Sequence, residues 1–209
     1  MFGIHDLPLF VASGLLLNLT PGADTLFIVS RSASHDVRTG VAAALGIGAG
    51  CLFHVLAAAL GLSAILATSS AAFAIVRGVG ALYLAYVGLS LIRGSFSGHR
   101  SVSAPPAAAL RTVFAQGTLT NVLNPKVALF FLAFLPQFVD AASPDKGLAF
   151  LTLGTIFAFN GTLWCLLLAG ASARLGKAGF ARGASAWFAR GVGALFIVLG
   201  LRLAFAPPG

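Results

Sequence analysis

Long apolar stretches recur along the chain, at about residues 7–30, 40–67, 72–92, 113–138, 147–173 and 187–205. Each is close to or above the ~20 residues that carry an α-helix across ~30 Å of hydrocarbon. Breakers and charges collect between them, at 31–39, 68–71, 93–112, 139–146 and 174–186. The longest of these connections holds Ser101, Pro105 and Pro106 and reads as a linker. The pattern predicts an all-α integral membrane protein with six transmembrane helices in one domain, residues 1–209.

Two of the stretches are interrupted. The first contains Asn18, Thr20, Pro21, Gly22 and Asp24, and the fourth contains Asn121, Asn124, Pro125 and Lys126. Proline removes a backbone donor and frees a carbonyl one turn earlier. In hydrocarbon that costs several kcal/mol unless another group satisfies it. Asn18, Thr20, Asn121 and Asn124 are short polar side chains able to do so, and Gly22 lets the chain bend. A pair of ordinary proline kinks would need no more than this. The charges add something, because an Asp or Lys near the bilayer centre costs ~2.5–3.5 kcal/mol and persists when paired or when it lines a polar cavity.

Composition supports the membrane reading. Hydrophobic residues make up 58% of the chain and charged residues 9%, against about 25% charged in a water-soluble domain. No Lys or Arg occurs in the first ten residues, so a cleaved signal peptide with a basic start is not expected. The first helix is expected to act as its own insertion signal.

The net charge of +8 raises nucleic acid as a partner, but its distribution argues otherwise. Nine of the thirteen basic residues fall on alternate connections or at their edges: Arg31, Arg38, Arg93, Arg100, Arg111, Arg174, Lys177, Arg182 and Arg190. Arg77, Lys146 and Arg202 belong to the opposite side, and Lys126 lies within a span. Positive residues stay cytoplasmic. The bias therefore predicts both termini outside the cytoplasm and anionic lipid as the neighbour of the basic face.

The two halves resemble each other. Arg77-Gly78-Val79-Gly80-Ala81-Leu82 recurs as Arg190-Gly191-Val192-Gly193-Ala194-Leu195. Gly14 and Asn18 before Pro21 are echoed by Gly117 and Asn121 before Pro125. Three helices per half require the second half to be inverted. The expected plan is a repeat over about 7–92, a cytoplasmic linker over about 93–112 and an inverted repeat over about 113–205. Interrupted helices at matching places in inverted repeats point to a transporter with a midplane site.

If the two breaks meet, they bring an acid and a base together. A zwitterionic amino acid suits such a place: its ammonium takes a carboxylate or freed carbonyls, and its carboxylate takes a cation or the N–H groups of a restarted helix. A buried Asp24 is also able to carry a proton. Asp24 and Lys126 form an ion pair in one arrangement. In another, Asp24 sits toward the cytoplasmic end of the first helix and is partly hydrated.

His54 reads first as a satisfied packing histidine, with a proton relay or substrate contact as the other reading; Asn160 loosely corresponds to it in the repeat. Gly46, Gly48 and Gly50 are expected at close helix contacts, and Phe130, Phe131 and Phe134 in packing or against lipid. Trp187 fits an interfacial anchor. Cys51 and Cys165 read as buried thiols. No cluster has metal-ligand spacing, and no metal or cofactor is expected.

At these motifs the chain resembles the LysE/RhtB family of amino-acid exporters. The likeness is carried by Thr20-Pro21-Gly22-Ala23-Asp24, by the glycines from Gly40 to Gly50 with His54 following, by Gly80 to Gly88, and most specifically by Asn124-Pro125-Lys126 and the run to Pro136-Gln137-Phe138. The resemblance implies a six-helix bacterial inner-membrane protein that exports amino acids or close derivatives with proton entry. It also implies Pro21, Gly22, Asp24, Asn124, Pro125 and Lys126 as site residues. Family members commonly have proline where Ala23 stands, so the local backbone and substrate choice are expected to differ. A homo-oligomer is compatible with this reading. The competing classes are a passive channel, an exporter of another small metabolite, and an intramembrane hydrolase using Ser13 or Ser90 with His54.

Overall fold

The computed structural model describes residues 2–62, 106–140 and 142–181, with isolated helical positions between 75 and 93 and between 190 and 201. The predicted helices at 72–92 and 187–205 largely lie outside the described residues. So do most of the Arg77–Leu82 and Arg190–Leu195 match, and Ser90 and Trp187.

The first stretch is two helices. α1 spans Leu7–Leu19 with proline in its first turn, and α2 spans Ala23–Ser34. They meet at a bend of 50°. α3 spans Val37–Ala57 and widens into a π-helical turn, Ala58–Leu62. α4 spans Leu110–Val122. After a break, α5 (Pro125–Leu129) continues through a π-helical turn at Phe130–Phe134 and a 3₁₀ turn at Leu135–Phe138. That second break bends the chain by 45°. α6 runs from Lys146 to Ala181. Among the described residues, α3 with its π turn and α6 are each long and apolar enough to cross a membrane, and counting each bent pair as one span gives four.

Several boundaries differ from the sequence reading: α3 already begins at Val37 and α4 at Leu110, so Arg38 and Arg111 lie in helices. Arg31 does not sit on a connection: it is in α2 and only 6% exposed. Its guanidinium donates to Pro106 O and to Gln116 Oε1, both at 2.8 Å, and lies over the Phe27 ring. Ser32, Ala33 and Ser34 continue the helix because nothing before His35 and Asp36 stops it. Arg174, placed on a connection by the sequence reading, likewise belongs to α6, which has no glycine–proline stop at that point.

Asp36 starts α3. Its carboxylate accepts from the Thr39 N–H at 2.7 Å, an N-cap that satisfies one of the helix's free donors. Hydrogen bonding from Thr39, backbone first and side chain second, holds the Asp36 carboxyl below its ordinary value of 3.8. A depressed carboxyl contributes stability above its unfolded value and loses it as pH falls through the folded one. Asp36→Ala is therefore expected to lower the thermal midpoint at neutral pH. The gap to wild type should close as pH drops below 3.8, and thermal unfolding of detergent-purified protein across pH checks this.

Glycines set how closely α3 packs. A Cβ on Gly46 would run into the Phe114 carbonyl of α4, one on Gly50 would come within 2.6 Å of Thr118 O, and one on Gly117 within 2.7 Å of Ala43 O. Gly46 and Gly50 thus lay backbone on backbone against α4, the small-residue contact that lets membrane helices approach. Gly48 faces α6 instead, where Thr162 stands against it. Gly46→Val must push the helices apart, and overpacking of this kind costs about 1–3 kcal/mol or more. The expected result is a large fall in thermal midpoint and loss of monodisperse protein on size exclusion.

Two apolar clusters fill the bundle. One gathers Phe10, Phe130, Phe131, Phe134, Phe138, Phe150 and Phe157; the other holds Ile28, Ala43, Ala44, Ile47, Val113 and Leu168. Phe130, Phe131 and Phe134 are all at most 2% exposed, so they pack inside and do not meet lipid. Leu26, Leu52, Phe53, Leu56, Leu119, Phe159 and Leu167 lie on the outer surface. The N-terminal segment pairs with the end of the broken fourth stretch: Ile4 bridges Val139, and His5 N donates to Phe138 O. Arg31 of α2 meets Pro106 elsewhere, a few residues before α4.

Candidate functional site

At each break a proline removes the donor that an unbroken helix would give to the carbonyl four residues earlier. Pro21 has no N–H to give to Leu17 O. α1 ends with Thr20 N donating to Leu16 O and Leu17 O, while the Thr20 hydroxyl donates to Leu16 O at 2.7 Å. The carbonyls of Leu17 and Thr20 have a further donor. Both accept from Lys126 Nζ, at 2.7 and 2.8 Å. An ammonium thus caps the negative end of α1. Gly22 is the extended N-cap of α2, and Asp24 occupies that helix's first turn, where a carboxylate faces the positive end.

The second break is built by the local sequence. Asn124 is the N-cap of α5, and its Oδ1 accepts from the Lys126 N–H at 3.0 Å. Pro125 takes the first helical position, where its missing N–H costs nothing and its fixed φ fits. In place of that donor the Asn124 N–H donates to Asn121 O at 2.9 Å, and His54 Nε2 lies 3.1 Å from the same carbonyl. Because a carbonyl only accepts, the proton is on Nε2. The imidazole also stacks on Phe131, with ring centroids 5.8 Å apart. His54 is therefore a partnered side chain whose bond ties α3 to the second break.

The two breaks are cross-tied. Lys126, from the second, holds the end of α1; Asn121 Nδ2, from α4, donates to Asp24 Oδ2 at 2.9 Å. Asn124 lies close to the same carboxylate. Asp24 and Lys126 make no direct ion pair among the described residues. Each charge is stabilised by neutral groups of the opposite break, so neither depends on contact with the other.

Between them lies a cavity of about 40 Å³, above the ~10–15 Å³ that one water needs. Asn18, Gly22, Asp24, Asn121, Asn124 and Lys126 line it, with Leu17, Ile47, Gly48, Cys51, Val127, Phe157, Gly161, Thr162, Trp164 and Cys165. Its walls draw on both apolar clusters, which places it at their boundary. Four of the lining residues carry a buried polar atom with no partner: Asn18 Nδ2, Asp24 Oδ1, Asn121 Oδ1 and Trp164 Nε1. Unpartnered buried groups are uncommon and call for an explanation.

Most of the residues singled out from sequence come together here. Thr20 contributes its carbonyl through Lys126, with its own hydroxyl turned back on α1. Asn160 is half-buried on α6 and is not among the lining residues. The sequence reading missed Trp164 and Thr162. An indole N–H inside an apolar helix is the signal that points to Trp164, because that donor needs a partner. Cys51 and Cys165 are both buried free thiols. Ser13 is buried with its hydroxyl unpartnered, while His54 is engaged with Asn121.

Bent, apolar helix pairs that carry buried charges at their breaks define a polytopic membrane transporter. Residues 15–206 match the family described as LysE type translocator, and the chain belongs to that family. It is similar to an uncharacterized membrane protein of Pseudomonas aeruginosa, 34% identical over 98% of this chain and 97% of that protein. It is also similar to proteins named leucine efflux protein. That of Enterobacter sp. is 31% identical and that of Salmonella typhimurium 27%, each over 74% of this chain and 73% of the relative. No solved structure matches it. The chain is accordingly a membrane transporter and not an enzyme.

Proposed function

We propose that this protein is a secondary active exporter of neutral amino acids with apolar side chains, leucine among them, across the bacterial cytoplasmic membrane. The substrate is bound between the two broken helices, and outward transport is driven by proton entry. Asp24 receives the substrate ammonium. Lys126 holds the end of α1 through the Leu17 and Thr20 carbonyls, Asn124 caps the second break, and Asn18 and Asn121 complete the polar wall. Pro21, Gly22 and Pro125 keep the breaks open, and His54 supports the second one.

The observation that carries this reading is the Asp24 carboxylate. One oxygen is held by Asn121, and the other faces no partner in a cavity where the breaks meet. A carboxylate so placed takes a cation, and the ammonium of an amino acid or a proton satisfies it equally. Alternation between those two occupants is what couples export to proton entry. The names of the relatives and the apolar walls favour a leucine-like side chain. A cavity of about 40 Å³ holds water but not leucine, so loading requires the bent pairs to part. The arrangement as inverted three-helix repeats, with both termini outside, belongs to the same proposal.

The test is counterflow in proteoliposomes loaded with single unlabelled amino acids, with and without an imposed pH gradient. Saturable exchange of leucine and similar neutral amino acids, accelerated by the gradient, is expected. Absence of exchange with any amino acid, in folded and inserted protein, would refute the assignment.

A further inference from the structure

The substrate ammonium has a partner in Asp24, but its carboxylate needs one as well. Lys126 is the nearest cation, yet two of its three donors are committed to Leu17 O and Thr20 O. The cavity offers other donors. Asn18 Nδ2 and Trp164 Nε1 are both buried and both without a partner. They also lie on one side of the cavity. The Asn18 amide packs against Gly161, whose Cβ position is 3.3 Å from Nδ2. Trp164 follows Gly161 by three residues on α6 and so shares its face. The two unpaired acceptors, Asp24 Oδ1 and Asn121 Oδ1, are carried by two other helices, α2 and α4.

We infer that Asn18 and Trp164 form the carboxylate-binding end of the substrate site, facing the ammonium-binding end at Asp24 and Asn121. This deepens the exporter reading and rests on it. The division of donors and acceptors matches a zwitterion: two acceptors meet the ammonium, two donors meet the carboxylate. It makes the free α-carboxylate a requirement for tight binding. An amine with the same side chain but no carboxylate leaves both donors buried and unsatisfied, and sites that hydrogen-bond a substrate group reject analogues lacking it. The apolar walls then receive the side chain, with no further free charge to meet a basic or acidic one.

Trp164→Phe removes the N–H and keeps an aromatic ring in place. Losing one hydrogen bond to a charged group corresponds to about 10–100-fold in affinity. In leucine counterflow the half-saturating leucine concentration should rise by that factor. Inhibition by isoamylamine, which has leucine's side chain and amine but no carboxylate, should be unchanged. Asn18→Leu, nearly the same size, should reproduce the pattern and carries the test if Trp164→Phe is not monodisperse. An unaltered leucine half-saturation in these variants overturns the inference. So does equal weakening of leucine and isoamylamine, which would mean that the residues only pack. Failure of the wild type to exchange leucine would instead strike the exporter reading itself.

Discussion

Lys126→Met should silence export and weaken the fold together. Methionine has a similar length and suits an apolar surrounding, so the change is not a packing insult. What it removes is the donor for Leu17 O and Thr20 O, both within 2.8 Å of the ammonium. A hydrogen bond to a charged group is worth ~1.5–3 kcal/mol. Part of the loss is offset because a buried ammonium no longer has to be desolvated, so a net destabilisation of about 2–4 kcal/mol is expected. The end of α1 would then be free to shift, and with it the wall that Gly22 and Asp24 form. Leucine counterflow should fall at least ~100-fold, since misplacing site groups by 1 Å or so has that order of effect. Lys126→Arg should not restore it. A planar guanidinium does not replace a compact ammonium held by two carbonyls from one helix end. Thermal midpoint and counterflow measured on the same preparations check both halves of the expectation. Methionine at this position with wild-type stability would show that the two carbonyls find another donor.

Asp24→Asn separates site from scaffold. The amide has the shape of the carboxylate, and its oxygen still accepts from Asn121 Nδ2, so the cross-tie between α2 and α4 survives. The charge proposed to receive the ammonium is gone, and with it the group proposed to carry the proton. A monodisperse protein with a near-wild-type midpoint is expected, together with counterflow reduced at least ~100-fold, the order that loss of a charge-assisted bond and its developing partners produces. Residual exchange should no longer respond to an imposed pH gradient. A variant that exchanges leucine normally and still follows the gradient would remove Asp24 from both roles.

The breaks themselves were legible in the sequence because their chemistry is local. Asn124-Pro125 is an N-cap followed by a residue suited to the first helical turn, and Thr20-Pro21-Gly22 is an ending followed by a restart. Neither requires knowledge of the rest of the chain. The close glycine contacts were legible too, since Gly46, Gly48 and Gly50 sit in an otherwise unbroken apolar helix. The partners of the charges were not. Sequence suggested Asp24 against Lys126, whereas the ammonium is held by two carbonyls of α1 and the carboxylate by an asparagine of α4. Those pairings depend on how two bent helices cross, which no local spacing encodes. Arg31 misled for a related reason: a basic residue near a helix end resembles a topology marker, yet here it is buried and bonded to Pro106 and Gln116. Trp164 was passed over because in an apolar run an aromatic is ordinarily packing, and its unpaired N–H is visible only once its neighbours are known.

The cavity between the breaks contains two natural probes, Cys51 and Cys165, both free and buried. The most direct test is to follow alkylation of Cys165 by a small thiol reagent, in a Cys51→Ala protein exchanging leucine in proteoliposomes, by intact mass. On the proposed mechanism the site opens during exchange and the thiol is reached. Saturating leucine should slow its modification severalfold, with half the effect near the concentration that half-saturates counterflow. The same alkylation rate with and without leucine, in protein that is visibly transporting it, would place the substrate elsewhere and contradict the account.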